Sequence, residues 1–409
     1  MAEQELNSMN TGLTAAKTAK KDEFYTQYVD IQKEVEAYLE YDPDTFRDKT
    51  VYCNCDDPFE SNFFKYFAAN FNRLGLRKLI STSYDGSSIA GEQITFDEYT
   101  EGNGEREKPK AVCVEIEEVT DLDGDGAVGI EDVKLFLERN PHSRTPLAGG
   151  GDFRSDECVE LLKEADIVVT NPPFSLFRDF VALLIKHKTR FLVIGNTNAI
   201  TYKEIFHLIK TDRLWLGSTN FNVGMFFEVP DAWERFHSIN EETGRKMVRV
   251  STSCWYTNLD HGRRHDPLSL MTEADNLKFS KNLRAKGAYE RYDNYDAIEV
   301  STYKEIPSDY KGIMGVPITF LDKYSPEQFE ILGWTRGAIE FEAHPTKRYV
   351  NAKQMKPNGT ISNGGKVNTG PNIIRKTKPE KTYYVADNAD GYIEQLYMRI
   401  LIRHRCPSI

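Results

Sequence analysis

In the stretch Ala165-Asp166-Ile167-Val168-Val169-Thr170-Asn171-Pro172-Pro173-Phe174-Ser175, an apolar strand runs straight into Asn-Pro-Pro-Phe and then into an amphipathic segment. Two successive prolines can neither sit inside a helix nor donate to a sheet ladder, so they force a rigid turn at the strand's C-terminal end. Open α/β sheets bind their ligands at that end. The turn built by Pro172 and Pro173 presents the Asn171 side chain and the Pro172 carbonyl as two acceptors, with Phe174 as a flat apolar wall. Such a site suits a planar group bearing an exocyclic NH2. Both amino hydrogens are bonded in the plane, the nitrogen lone pair stays free to attack, and the ring stacks on Phe174. The plain alternative is a strand-ending loop whose prolines start a helix. At average residue frequencies of about 4–5%, chance produces this tetrapeptide in only about one in several hundred chains of this length.

Outward from this motif, short apolar strands alternate with amphipathic helices. Strands are expected at Thr50–Asn54, Lys78–Thr82, Ala111–Glu117, Asp166–Thr170, Phe191–Gly195 and Leu214–Leu216, with helices at Phe59–Asn72, Asp156–Glu164, Ser175–Lys188 and Lys203–Lys210. Another helix is expected over 22–40, where Tyr28, Ile31, Val35 and Tyr38 recur at helical spacing. Continuous apolar strands are those covered on both faces, and the alternation implies a mostly parallel α/β sheet. Gly224–Val229 and Val248–Tyr256 read as an antiparallel pair at one edge of it. From about residue 326 the alternation stops and Gly, Asn and Lys rise (KPNGTISNGGKVNTG, 356–370), before an apolar-basic strand or helix at Tyr397–Arg405. The expected organisation is a floppy polar leader at 1–20, a domain at 21–325 with an acidic insertion at about 97–150, and a smaller domain at 326–409.

The 409 residues hold 52 Lys/Arg against 63 Asp/Glu, a formal net charge of −11, which at first sight argues against a nucleic-acid partner. A regional count reverses that. Residues 97–132 carry thirteen acidic and three basic residues, whereas 346–381 carry nine basic residues against the single Glu380. A basic run is often only a solvated face. The polar N-terminus lacks an apolar signal core, and the apolar run Phe180–Ile185 is far too short to span a bilayer. A cytoplasmic protein is expected, with its six cysteines reduced, since they show neither framework spacing nor a CxxC pair.

Asn-Pro-Pro-Phe at a strand end resembles the signature of amino-methyltransferases, and the chain as a whole resembles the EcoRI-type adenine-specific DNA methyltransferases from about residue 20 to its end. The segments that carry the likeness are KKDEFYTQ (20–27), VYCNCDDP (51–58), LISTSY (79–84), GDFRS (151–155), ADIVVTNPPFSLFRDF (165–180), FLVIGNTN (191–198) and YMRILIRHR (397–405). The resemblance implies a Rossmann-like class I methyltransferase sheet and S-adenosylmethionine as cofactor. It implies that Asn171, Pro172, Pro173 and Phe174 carry the chemistry, with Asn171 also beside the cofactor. It places Cys53, Asp56 and Asp57 in the cofactor loop, although Asn-Cys-Asp-Asp-Pro departs from the usual Gly-rich pattern. Thr82 and Tyr84 fall near the ribose, with Asp85 as a stand-in for the usual acidic residue. Asp152 and Phe153 match the position that holds the cofactor adenine, and Phe24, Tyr25 and Thr26 the motif that closes over its methionine end. Each lone Asp here also reads as a turn or helix cap.

The resemblance further implies double-stranded DNA as partner, a target adenine flipped from the stack, and either a cognate restriction endonuclease acting on the same site or a solitary regulatory role. The basic C-terminal segment is then the target-recognition region, with Lys347, Arg348, Lys353, Lys356, Lys366, Arg375, Lys376, Lys378 and Lys381 available for phosphates or base edges. A cytosine-C5 enzyme would need a Pro-Cys pair, and Cys406-Pro407 has the wrong order. An RNA base or a protein glutamine is the alternative substrate, and a non-catalytic binding protein with a decayed site is the alternative class.

A second pattern lies in the acidic block. Asp121, Asp123, Asp125 and Asp132 stand at positions 1, 3, 5 and 12 of a twelve-residue calcium loop, with Gly126 at 6 and the Ala127 carbonyl at 7. Position 12 is Asp rather than Glu and no convincing helix enters from the left, so structural calcium and a metal-free acidic turn both remain open.

Overall fold

The structure is a computed structural model that describes residues 25–56, 61–83, 111–124, 129–140, 144–229, 233–241, 243–336 and 340–405. It divides into two compact units between Gly262 and Arg263.

The N-terminal unit runs β1 (Tyr25–Thr26), α1 (Tyr28–Tyr41), β2 (Thr50–Asn54), α2 (Asn62–Ala69), β3 (Lys78–Thr82), β4 (Val112–Ile116), α3 (Ile130–Arg139), β5 (Arg144–Pro146), α4 (Asp156–Glu164), β6 (Ile167–Thr170), α5 (Phe177–His187), β7 (Arg190–Asn196), α6 (Lys203–Lys210), β8 (Trp215–Leu216), β9 (Met225–Val229), β10 (Ser238–Ile239), β11 (Lys246–Val250) and β12 (Ser253–Thr257). Eight strands form one sheet in the order β5-β4-β3-β2-β6-β7-β12-β8. Its centre, β3-β2-β6-β7, is parallel. β4 and β5 add antiparallel on one side, β12 and β8 on the other. This is a mixed α/β fold consistent with a class I methyltransferase, more antiparallel at its edges than the expected mostly parallel sheet. Every residue of β2 and β6 is buried, which explains their unbroken apolar character. Strand order reverses at β2, with β3 on one side and β6 on the other. The carboxyl ends of β2 and β6 therefore frame the switch point at which such sheets take ligands.

The expected antiparallel pair forms, with Val248–Val250 beside Met225–Phe227, but not at the edge of the large sheet. Met225–Val229 joins a separate antiparallel sheet, β1-β9-β11-β10. The stretch Val248–Tyr256 breaks into β11 in that small sheet and β12 in the large one. Gly224, just before β9, has φ +78°, and a Cβ on it would lie 2.7 Å from Ser251 Cα, so the two backbones approach closely where β11 ends.

The C-terminal unit holds two helices, α7 (Glu273–Phe279) and α8 (Lys281–Lys286), and strands β13 (Ala297–Glu299), β14 (Ile313–Pro317), β15 (Phe329–Trp334), β16 (Lys353–Met355), β17 (Ile361–Asn363), β18 (Asn372–Arg375), β19 (Tyr383–Val385), β20 (Tyr392–Gln395) and β21 (Arg399–His404). They form sheets β13-β14-β21-β15 and β17-β16-β19-β20-β18. The last strand, β21, pairs with β14 and β15 on either side, so segments before and after residue 326 share one sheet. Compactness thus begins the second unit at Arg263, not at 326 where the composition changes. No helix among the described residues is long and apolar enough to cross a membrane.

A buried carboxylate anchors α1. Glu34 accepts from Ser218 N and Thr219 N, both at 2.7 Å, and from Thr219 Oγ1 at 2.5 Å. Burial pushes its pKa up while these donors pull it back. The bonds fix the loop that leads into β9. Glu34→Ala leaves two buried N–H groups without an acceptor and is expected to lower unfolding free energy by about 3 kcal/mol. In urea titrations this appears as a lower midpoint with an unchanged slope.

Candidate active site

One carboxylate joins the carboxyl ends of β2 and β6. Asp56 is buried; its Oδ1 accepts from Ser61 Oγ at 2.8 Å and its Oδ2 from Thr170 Oγ1 at 2.5 Å. The Thr170 hydroxyl also lies against the Asn54 carbonyl, and Ser81 Oγ of β3 donates to the Asp56 carbonyl at 2.6 Å. Ser61 in turn caps α2, accepting from Phe63 N at 3.1 Å. Cys55 turns the chain into this loop at φ +65°, the left-handed conformation that a Gly-rich loop would supply with glycine.

Thr170 is the residue before Asn171, so the clasp sets the start of the Asn-Pro-Pro-Phe turn. Asn171 Oδ1 is buried. The turn closes with Leu176 N donating to the Pro173 carbonyl at 2.9 Å, and Phe174 opens the short 3-10 helix Phe174–Leu176. Phe174 meets Phe227 of β9 edge-on, with ring centroids 6.5 Å apart. Phe227 pairs with Thr26 in β1, and Asn62 Nδ2 at the start of α2 donates to the Thr26 carbonyl at 2.8 Å. Thr26, Asp56, Asn171 and Phe174, far apart in sequence, thus belong to one connected cluster. Tyr25 lies beside it under the Arg245 guanidinium, 5.9 Å from the ring centroid.

Two buried polar atoms in this cluster are unsatisfied among the described residues: Thr26 Oγ1 and Asn54 Nδ2. Asn54 Oδ1 has partners in Cys55 Sγ and Thr82 Oγ1, both at 3.4 Å, so it is the amide donor that is left over. Burying a polar group without a partner costs about 1–3 kcal/mol. At the open end of a sheet's switch point such groups fit a polar ligand, and the donor set suits a cofactor that carries both amino and carboxylate groups.

The other expected cofactor residues have mixed surroundings. Cys53 is fully buried within the hydrophobic core. Thr82 is buried and bonded to Tyr52 OH at 3.0 Å. Phe153 packs edge-on against Phe180 of α5, centroids 5.1 Å apart, rather than offering an open face. Asp152 is half-exposed and bidentate to Arg154, with Oδ1 to Nε at 2.9 Å and Oδ2 to Nη2 at 2.7 Å; the guanidinium holds its carboxyl below the usual carboxylate range. Phe24, Asp57, Tyr84 and Asp85 lie outside the described residues. Sequence reasoning missed Asn54, Ser61, Thr170 and Phe227. Adjacency to Asn171 was the available signal for Thr170; the others carry none.

In the acidic loop, Asp121, Asp123 and Asp132 bring carboxylate oxygens within 4.8 Å of one another, while Asp125 and Ala127 lie outside the described residues. Asp132 is engaged within the chain. Its Oδ1 accepts from Leu122 N at 2.6 Å and Asp123 N at 3.1 Å, and its Oδ2 from Gly129 N at 2.7 Å as a cap on α3. The loop is closed by backbone donors, and calcium draws no support from it.

The basic segment also divides. Arg375 pairs with Glu290 and Glu394, Lys347 with Asp293 at 2.8 Å, and Lys376 with Asp390 at 2.7 Å, so these three are engaged by acids of the same unit. Arg348, Lys353, Lys356, Lys366, Lys378 and Lys381 are exposed and form no ion pair among the described residues.

A sequence profile described as "Adenine-specific methyltransferase EcoRI" matches residues 12–405. The chain belongs to this family. It is therefore an adenine-specific DNA methyltransferase by family, and that family implies S-adenosylmethionine as methyl donor. This EcoRI-type methyltransferase is 42% identical over 342 residues to the type II methyltransferase M.EcoRI of Escherichia coli, covering 82% of this chain and 92% of the relative. It is 37% identical over 372 residues to M.MgeORF184P of Mycoplasma genitalium, covering 90% and 95%, and 38% identical over 323 residues to M.MpnI of Mycoplasma pneumoniae, covering 78% and 83%. No solved structure matches it.

Backbone donors, Gly129 N first, hold the Asp132 carboxyl below its usual range. Its contribution to stability is therefore complete above the unfolded-state pKa of about 3.9 and is lost as pH falls through the lowered native value. Asp132→Ala is expected to lower the melting temperature at neutral pH, with or without a calcium chelator, and to make progressively less difference in acid. An equal loss at all pH values would separate Asp132 from the acid response.

Proposed function

We propose that this methyltransferase moves a methyl group from S-adenosylmethionine to the exocyclic N6 of an adenine flipped out of duplex DNA. The observation that carries the proposal is the connected cluster at the ends of β2 and β6, where the buried Asn171 Oδ1 stands beside Phe174 and two further polar atoms, Thr26 Oγ1 and Asn54 Nδ2, have no partner among the described residues. The cofactor, when bound, supplies an electrophilic methyl group. Asn171 Oδ1 and the Pro172 carbonyl accept the two amino hydrogens, which holds the amine in place and directs its lone pair out of the ring conjugation. Phe174 stacks on the base and offsets part of the few kcal/mol needed to unstack it. N6 would gain the methyl group as the cofactor's S–CH3 bond breaks and leaves a neutral thioether, and N6 would release one proton to solvent; no covalent bond to the protein is needed. Thr26, Asn54 and Asp56 would hold the methionine end, with Phe24, Tyr25 and Asp57 completing it. Asp152 would exchange Arg154 for the cofactor's adenine amino group.

Duplex DNA is supported as substrate by Arg348, Lys353, Lys356, Lys366, Lys378 and Lys381 of the basic segment, which are exposed and form no ion pair among the described residues. The type II names of the relatives support a restriction endonuclease acting on the same site as the biological partner.

Incubation with isotopically labelled S-adenosylmethionine and unmethylated duplex DNA, RNA or protein tests this directly. Label is expected in N6-methyladenine of duplex DNA; label confined to an RNA base or a protein glutamine overturns it. Asn171→Ala is expected to reduce kcat on the order of 10²–10³-fold with a melting temperature close to that of the parent. Full activity in that variant would move the site elsewhere.

A further inference from the structure

We propose that the β16–β17 hairpin, Lys353 to Asn363, is the ribbon that enters the DNA groove; this rests on the duplex-DNA reading above. The hairpin forms one edge of the sheet β17-β16-β19-β20-β18. Its two faces differ sharply. On one, Gln354 stands opposite Ser362 and Tyr384. Ser362 Oγ donates to Gln354 Oε1 at 3.0 Å, and Gln354 Nε2 donates to Tyr384 OH at 3.0 Å. Tyr384 packs with Tyr349, Val367 and Ile393, so this face is closed.

On the other face, Lys353 stands opposite Asn363 and Val385, and Met355 opposite Ile361 and Tyr383. Residues directly opposite one another share a face. The far end of that face is closed where Ile373 packs with Tyr292 and Tyr295, and where Arg375 pairs with Glu290. The near end stays open: Lys353 and Asn363 are exposed, and Ile361 is 58% exposed. The tip, Lys356-Pro357-Asn358-Gly359-Thr360, is exposed throughout and held in shape by Gly359 at φ +80° and a 3.0 Å bond from Lys356 N to the Thr360 carbonyl.

Charge selects the occupant. Lys353 and Lys356 form no ion pair among the described residues, and Lys378 lies over the Tyr383 ring 6.0 Å from its centroid, also without one. In the basic segment, acidic residues instead engage Lys347, Arg375 and Lys376. Asn358 and Asn363 use their Oδ1 atoms to accept from Thr360 N and Gly365 N, which fixes both amides. Their NH2 groups donate to nothing among the described residues, so they are pre-set donors for acceptors on base edges. A two-stranded ribbon fits the major groove of B-form DNA, about 12 Å wide, with the lysines on phosphates and the amides inward.

The test is equilibrium binding of a methylatable duplex to the full-length protein and to the Lys353→Ala/Lys356→Ala double variant, over about 0.05 to 0.2 M salt. Loss of two phosphate contacts should shrink the salt slope by about 2 and weaken binding about tenfold or more at the low-salt end. S-adenosylmethionine affinity and melting temperature should stay at parental values. Parental DNA affinity and slope in the variant, with an active parent, overturn the hairpin assignment alone. A parent that neither binds nor methylates duplex DNA overturns the proposed activity and the hairpin with it. If the double variant melts early, hydrogen exchange on the parent decides: protection of residues 353–363 by DNA supports the ribbon, and unchanged exchange there, or protection only by a second protein copy, overturns it.

Discussion

The geometry of the Asn-Pro-Pro-Phe turn depends on the bonds made by the Asp56 carboxylate. A buried carboxylate is tolerated only when its oxygens accept hydrogen bonds. Here the donors are the hydroxyls that cap α2 and end β6. Because β2 and β6 are buried along their whole length, neither can slide without stripping that carboxylate of a partner. Thr170 is fixed by this, Asn171 follows it by one peptide bond, and two prolines leave the turn few other conformations. The rigidity of the turn is therefore built from one acid, two hydroxyls and two pyrrolidine rings.

The same device recurs away from the site. Glu34 ties α1 to the loop before β9, and β9 carries Phe227 to Phe174. In the C-terminal unit Glu299 accepts from Arg399 at 2.7 Å and from Tyr292, deep in the sheet β13-β14-β21-β15. Each is a buried acid whose partners lie on a different element, and each becomes costly if one partner is removed. Such links hold elements in register where apolar packing alone tolerates slippage.

Several expectations turned on local pattern, and their fate follows from what local pattern contains. The central strands and the helices beside them were legible because continuous apolar runs and helical spacing are direct consequences of burial. The split between β11 and β12 was not, because the partners that draw them into different sheets, β9 and β7, lie elsewhere in the chain. The packing of Phe153 against Phe180 and of Cys53 in the core depends on elements that no motif specifies. The basic run was visible as charge. Its division into structural and open residues was not, since the acids that capture Lys347 and Arg375 lie 54 and 85 residues away.

By itself the sequence determined the chemistry of the turn: proline geometry, an amide acceptor and an aromatic face are properties of Asn171 to Phe174 that any fold must respect. It also determined that a strand enters that turn and a helix leaves it. Only the tertiary structure decided what surrounds them. It brought Thr26, Asp56 and Phe227 to the same strand ends and separated the paired basic residues from the open ones. It also drew the boundary of the second unit at Arg263 rather than at 326. The physical reason is the range of the forces involved. Backbone stiffness and side-chain chemistry act within a few residues, whereas hydrogen-bonded burial of a carboxylate is settled by whichever partners the fold happens to bring within about 3 Å.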